Sequence, residues 1–124
     1  MYFWAICFLI VGIIFIIAPH AVLLLINQYG SLLHFTERIP LNVEYFWLAL
    51  AGSLMMVISY LSYKGGQDPS NHVAIRAVLI CKLASSLFFL IGAVRTHNEL
   101  YLIGTAVDFM IFTVIFFFYN GIKV

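Results

Sequence analysis

Four long apolar runs, set apart by short polar breaks, limit what this chain can fold into more than any motif does. They read near Tyr2–Ala18, Glu44–Tyr63, Val73–Val94 and Leu100–Tyr119. Each is close to the roughly 20 residues that a helix rising about 1.5 Å per residue needs to cross a hydrocarbon core of about 30 Å. The runs are continuously apolar and do not alternate with period two, which favours helices over a barrel. Of 124 residues, 65% are hydrophobic and 9% charged, whereas a soluble domain is roughly half apolar and about a quarter charged. A small water-soluble fold exposes too much of its chain to hide that apolar content, so the bilayer is the expected solvent. The sequence therefore predicts an all-α polytopic membrane protein, a four-transmembrane-helix bundle in which residues 1–124 form one membrane domain.

The first run is N-terminal and apolar, as a signal peptide would be. It lacks a basic stretch ahead of it and a convincing small-residue cleavage site, so a retained span is expected. An even number of spans puts both ends of the chain on one side. That side carries Lys64, Arg76 and Lys123, and the other Arg38 and Arg95. The positive-inside rule then places the termini in the cytoplasm, and a bacterial inner membrane is the expected location. Tyr2, Trp4, Tyr45, Trp47, Tyr60, Tyr63, Tyr101 and Tyr119 fall near span ends, where amphipathic rings prefer the headgroup level. Cys7 and Cys81 lie inside spans and outside any metal-type CxxC spacing, which suits small buried hydrophobes.

The first connection is not a polar loop. After Ala18 it continues PHAVLLLINQYGSLLHF, with Val22, Leu25, Ile26, Tyr29, Leu32 and Leu33 at helical spacing and Asn27, Gln28, Ser31 and His34 on the other side. Pro19 disfavours helix at Ala18 and suits the first turn of a new one. A short helix over about 20–34 is expected, lying in the membrane plane or folded over the bundle; the alternative is one kinked helix continuing from the first span. TERIPLN (36–42) follows as a turn, with Asn42 as a cap for the second span. His20, His34, Glu37, His97 and Glu99 then share one side of the membrane. His20, His34 and His97 are candidate metal or haem ligands, but no pair has the i, i+4 spacing that makes a motif such as HExxH informative, so no cofactor is expected.

One lysine interrupts the third run, VLICKLASSLFFL (78–90). A lysine near the centre of a membrane helix costs about 2.5–3.5 kcal/mol on insertion scales and needs a partner or a wet cavity. Lys82 is too deep to snorkel easily. The fourth run is antiparallel to the third, so Tyr119 matches the depth of Val73, and Asp108, eleven residues before Tyr119, falls within roughly 3 Å of the depth of Lys82. An intramembrane ion pair is expected, flanked by Ser85, Ser86, Phe89 and Gly92 on one helix and by Tyr101, Gly104, Thr105 and Phe112 on the other. Small residues let helices approach, and Ser85, Ser86 and Thr105 can complete the hydrogen bonds of a buried pair. Ala49, Gly52, Ser53 and Ser59 give the second span a small-residue strip. Functionally the pair reads either as a lock between two helices or as part of a proton or substrate path.

FWLALAG (46–52), Tyr60, the turn Gln-Asp-Pro (67–69), CKLASSLFFL (81–90) and GTAVDFMIF (104–112) together resemble the DoxX-like group of small four-helix membrane proteins. The resemblance runs from Phe46 to Tyr119 and is carried by Trp47, Asp68, Pro69, Lys82 and Asp108. It implies a four-helix bundle. It also implies a partner role beside a redox complex, because the name-giving members are similar to membrane subunits of a quinone-linked sulfur oxidoreductase. With no catalytic constellation in view, a non-enzymatic accessory or scaffold subunit is expected, as a homo-oligomer or within a larger membrane complex. A small proton-coupled transporter or channel is the alternative. A formal charge of +1 and the lack of a basic patch argue against nucleic-acid binding.

Overall fold

The computed structural model describes residues 1–36, 38–40 and 45–122, without the side chains of Tyr45, Phe46, Leu48, Ala49 and Ile122. The expectations for Glu37, Asn42, Glu44 and Lys123 lie outside the described residues. Five helices follow one another: α1 (Tyr2–Ile17), α2 (Pro19–Leu32), α3 (Tyr45–Gln67), α4 (His72–Thr96) and α5 (Leu100–Ile122). Among the described residues the fold is all helix. His72–Thr96 and Leu100–Gly121 are each long and apolar enough to cross a membrane. Outward-facing Ile10, Phe88, Phe117 and Phe118 leave apolar surface that a bilayer, not water, would cover.

The first helix ends within one residue of its apolar run. Helix α1 has 16 residues, about 24 Å at 1.5 Å per residue. Alone it falls short of a hydrocarbon core of about 30 Å, and it is bent by 111° from α2. The break is at Ala18, where φ is −133° and ψ 59°, outside the helical region that a following proline disfavours. Pro19 opens α2, where its missing N–H costs nothing. The chain thus makes two helices and not one kinked one.

The face that α2 turns inward is not its apolar stripe. Leu25, Tyr29, Leu32 and Leu33 point outward, while Pro19, Leu23, Asn27 and Gly30 are buried. Asn27 decides this. Its side-chain amide donates to the Ile39 carbonyl at 2.9 Å and accepts from the Ile39 N–H at 2.8 Å, satisfying two backbone groups of the following segment. Apolar residues lose nothing by facing lipid, so the polar side chain is the one with reason to turn in.

Helices α1 and α3 pack antiparallel, as do α4 and α5, and α3 against α4 joins the two pairs. The turn between α3 and α4 is tighter than KGGQDPSN implies, because α3 continues to Gln67. Gln67 donates to the Tyr63 hydroxyl at 2.9 Å and accepts from Lys64 Nζ at 3.2 Å, spanning the last turn of the helix. Asn71 caps α4 by accepting from the Ala74 N–H at 3.1 Å. Phe8, Ile58, Ile75, Val78, Leu79, Ile111, Ile115 and Tyr119 form one core drawn from α1, α3, α4 and α5.

Candidate functional site: a charged junction of three helices

Helix α4 presents Lys82, Ser85, Ser86 and Phe89 along one face, and α5 meets them in reverse order with Asp108, Thr105 and Gly104. Lys82 Nζ lies 2.8 Å from Asp108 Oδ1, and the two side chains are 2% and 9% exposed. The Ser85 hydroxyl donates to Asp108 Oδ2, so both carboxylate oxygens are occupied. Ser86 donates to the Thr105 backbone carbonyl at 3.2 Å. Gly104 leaves room for the Phe89 ring, against which an added Cβ would sit at 2.9 Å.

Thr105 departs from its expected role. Its hydroxyl donates at 3.1 Å to the Tyr101 carbonyl of its own helix, and only its backbone oxygen serves the α4–α5 seam. A threonine in a helix has the carbonyl four residues back always within reach, so local bonding wins over a partner on another helix.

Phe8 belongs to the site and was not foreseen. Its ring centroid lies 4.7 Å from Lys82 Nζ, which puts the ammonium between a carboxylate and the negative face of a ring. The only hint in the sequence is depth. Phe8 and Lys82 are each several residues into their helices, but nothing in an unbroken apolar run marks which phenylalanine faces inward. The lysine thereby ties α1 to the α4–α5 pair.

The histidines are placed apart from this junction. His20, His34 and His97 are exposed, and no three His, Cys, Asp or Glu side chains come together as a metal set among the described residues. Two of the three end helices. His34 (φ 61°) and His97 (φ 54°) are the non-glycine residues with left-handed backbone among those described. At His34 the Phe35 N–H donates to the Gly30 carbonyl at 2.9 Å and the His34 N–H to the Ser31 carbonyl at 3.1 Å. This six-to-one, five-to-two pattern is a Schellman stop, with histidine where glycine is usual. The fourth histidine, His72, places Nδ1 2.5 Å from the Tyr119 hydroxyl. It joins the start of α4 to the end of α5, the depth match that had been used only to locate Asp108. Cys7 and Cys81 are free thiols, only partly buried.

Toward the opposite end of these helices from the His97 turn, a cavity of about 450 Å³ lies among the first residues of α1, the α3–α4 turn and the last turns of α5. Trp4, Gly65, Ile75, Val114, Phe118 and Tyr119 are on its wall, and neither Lys82 nor Asp108 is.

No protein-family model, curated protein or solved structure matches the chain. Function therefore has to be argued from the junction itself.

Proposed function

We propose that the chain is a four-span membrane bundle of the DoxX-like kind and serves as a non-enzymatic accessory or scaffold subunit, with the Lys82–Asp108 pair as its internal lock. Helix α3, at 23 residues, spans about 34 Å at 1.5 Å per residue. It and the bent α1–α2 pair would supply the first two crossings beside α4 and α5. The bacterial inner membrane, cytoplasmic termini and assembly into a homo-oligomer or a larger, redox-linked complex belong to the same reading.

The closed state of the pair carries this reading. A proton or substrate path needs a group that can change partners and a wet route to it. Lys82 instead contacts Asp108 and the Phe8 ring, Asp108 also accepts from Ser85, and the cavity wall includes neither charge. A satisfied buried pair of this kind fixes which helices face each other, a role best attested for polar groups that set register.

Exchanging the charges, Lys82→Asp with Asp108→Lys, tests the lock. Each single change is expected to abolish accumulation in the membrane, and the exchange to restore part of it. Proton uptake by reconstituted vesicles is expected to be absent in the native chain and the exchanged one. Uptake by the native chain that disappears on exchange would favour the transporter reading. Purification in mild detergent then separates a homo-oligomer from a larger complex.

A further inference from the structure

We propose that the apolar cavity beside Trp4 and Tyr119 is a lateral lipid site that takes one acyl chain of a bilayer phospholipid between α1 and α5. The backbones of these two helices share no extended packing, in contrast to α1 with α3 and α4 with α5. The core between them is bridged by long side chains, and at the level of Trp4 and Val114 that bridge gives way to about 450 Å³ of space. The cavity is walled by the ends of four helices, the level at which headgroups give way to acyl chains.

Chemistry and size choose the occupant. Trp4, Ile75, Val114 and Phe118 offer apolar wall, and the Tyr119 hydroxyl is already held by His72 Nδ1 at 2.5 Å. An occupant therefore meets little that would favour a polar group. Ligand cavities run from roughly 300 to 1,000 Å³, and this one falls inside that range. A single turn of a helix, about 10–12 Å across and 5.4 Å tall, already takes on the order of 400–600 Å³. A partner's helix would enter by no more than about one turn, whereas a single acyl chain is far narrower than a helix.

The full chain, reconstituted into phosphatidylcholine vesicles doped with a phosphatidylcholine carrying a diazirine on its acyl chain, provides the test. After irradiation, adducts on the cavity residues Trp4, Val114 and Ile115 are expected to exceed those on outward-facing Ile6 and Phe117, at similar depth, several-fold. Val114→Phe places a ring in the cavity and is expected to bring the cavity adducts down to the outward level without changing the others. Equal labelling around α1 and α5 in the native chain overturns the proposal, and that measurement needs no variant. Unchanged cavity labelling in a folded Val114→Phe protein also overturns it. So does a loss of cavity labelling as the protein-to-lipid ratio rises, which would mark a second copy as the occupant.

Discussion

The two antiparallel helix pairs are held together by different physics. Between α4 and α5 the contacts are polar and specific: Lys82 with Asp108 at 2.8 Å, Ser85 with the same carboxylate, and Ser86 with the Thr105 carbonyl. Between α1 and α3 the contact is one of shape. A Cβ at Gly12 would meet the Gly52 carbonyl oxygen at 3.0 Å, and one at Gly52 would meet the Gly12 carbonyl oxygen at 2.9 Å and Ile16 Cγ1 at 2.7 Å. The Ser59 hydroxyl adds a polar bond to this close approach, donating to the Ala5 carbonyl at 2.7 Å. In lipid there is no hydrophobic force to bring helices together, so packing and hydrogen bonds must do it. A charged pair sets which residues face each other but carries a desolvation cost. A glycine crossing involves no such cost, yet it tolerates no added atom.

This difference can be broken at either seam. The largest effect is expected from Asp108→Leu alone. It strands the Lys82 ammonium and should cost about 3–5 kcal/mol, seen as a lowered denaturation midpoint in detergent. Adding Lys82→Met to the same chain is expected to recover most of that loss, because two apolar side chains replace the whole pair. If the double variant were as unstable as the single, the charges would contribute more than mutual satisfaction.

At the shape-determined seam, Gly52→Val forces atoms into the Gly12 carbonyl and Ile16. A loss of about 1–3 kcal/mol is expected, with no dependence on salt or pH. A neutral outcome in the same unfolding assay would mean that α1 and α3 can separate freely.

The smallest effect sits in the turn that joins the pairs. The Ser70 hydroxyl and N–H donate to Asp68 Oδ1 at 2.5 and 2.9 Å. These bonds hold the exposed Asp68 carboxyl below the usual carboxylate range. Because its folded value lies below its unfolded one, the stabilisation is present above about pH 4 and fades as pH falls through the folded value. Hydrogen exchange at the Ser70 amide should therefore accelerate in strong acid in the native chain. In Asp68→Asn it should show no such step.

Much of the polar seam was legible because depth along a membrane helix is a one-dimensional quantity. Matching Tyr119 with Val73 and counting inward from both is enough to bring Lys82 and Asp108 to within about 3 Å of one depth, and Ser85 and Ser86 follow by helical spacing. Angular position is not legible in the same way. An apolar run has no polar face to orient it in lipid, so Phe8 could not be told from its neighbours. His34 and His97 drew attention as ligand types, when their backbone conformation, invisible to spacing, is what places them.

The sequence by itself determined the apolar, all-helical class, the approximate helix limits and the shared depth of Lys82 and Asp108. Chain composition and a rise of about 1.5 Å per residue are sufficient for those. Only the tertiary structure decided that α1 turns by 111° into α2, that Asn27 faces inward to hold Ile39, that Gly12 meets Gly52, and that Lys82 rests on Phe8. Each of these depends on which sides of two helices meet, and that is settled by packing among segments far apart in the chain.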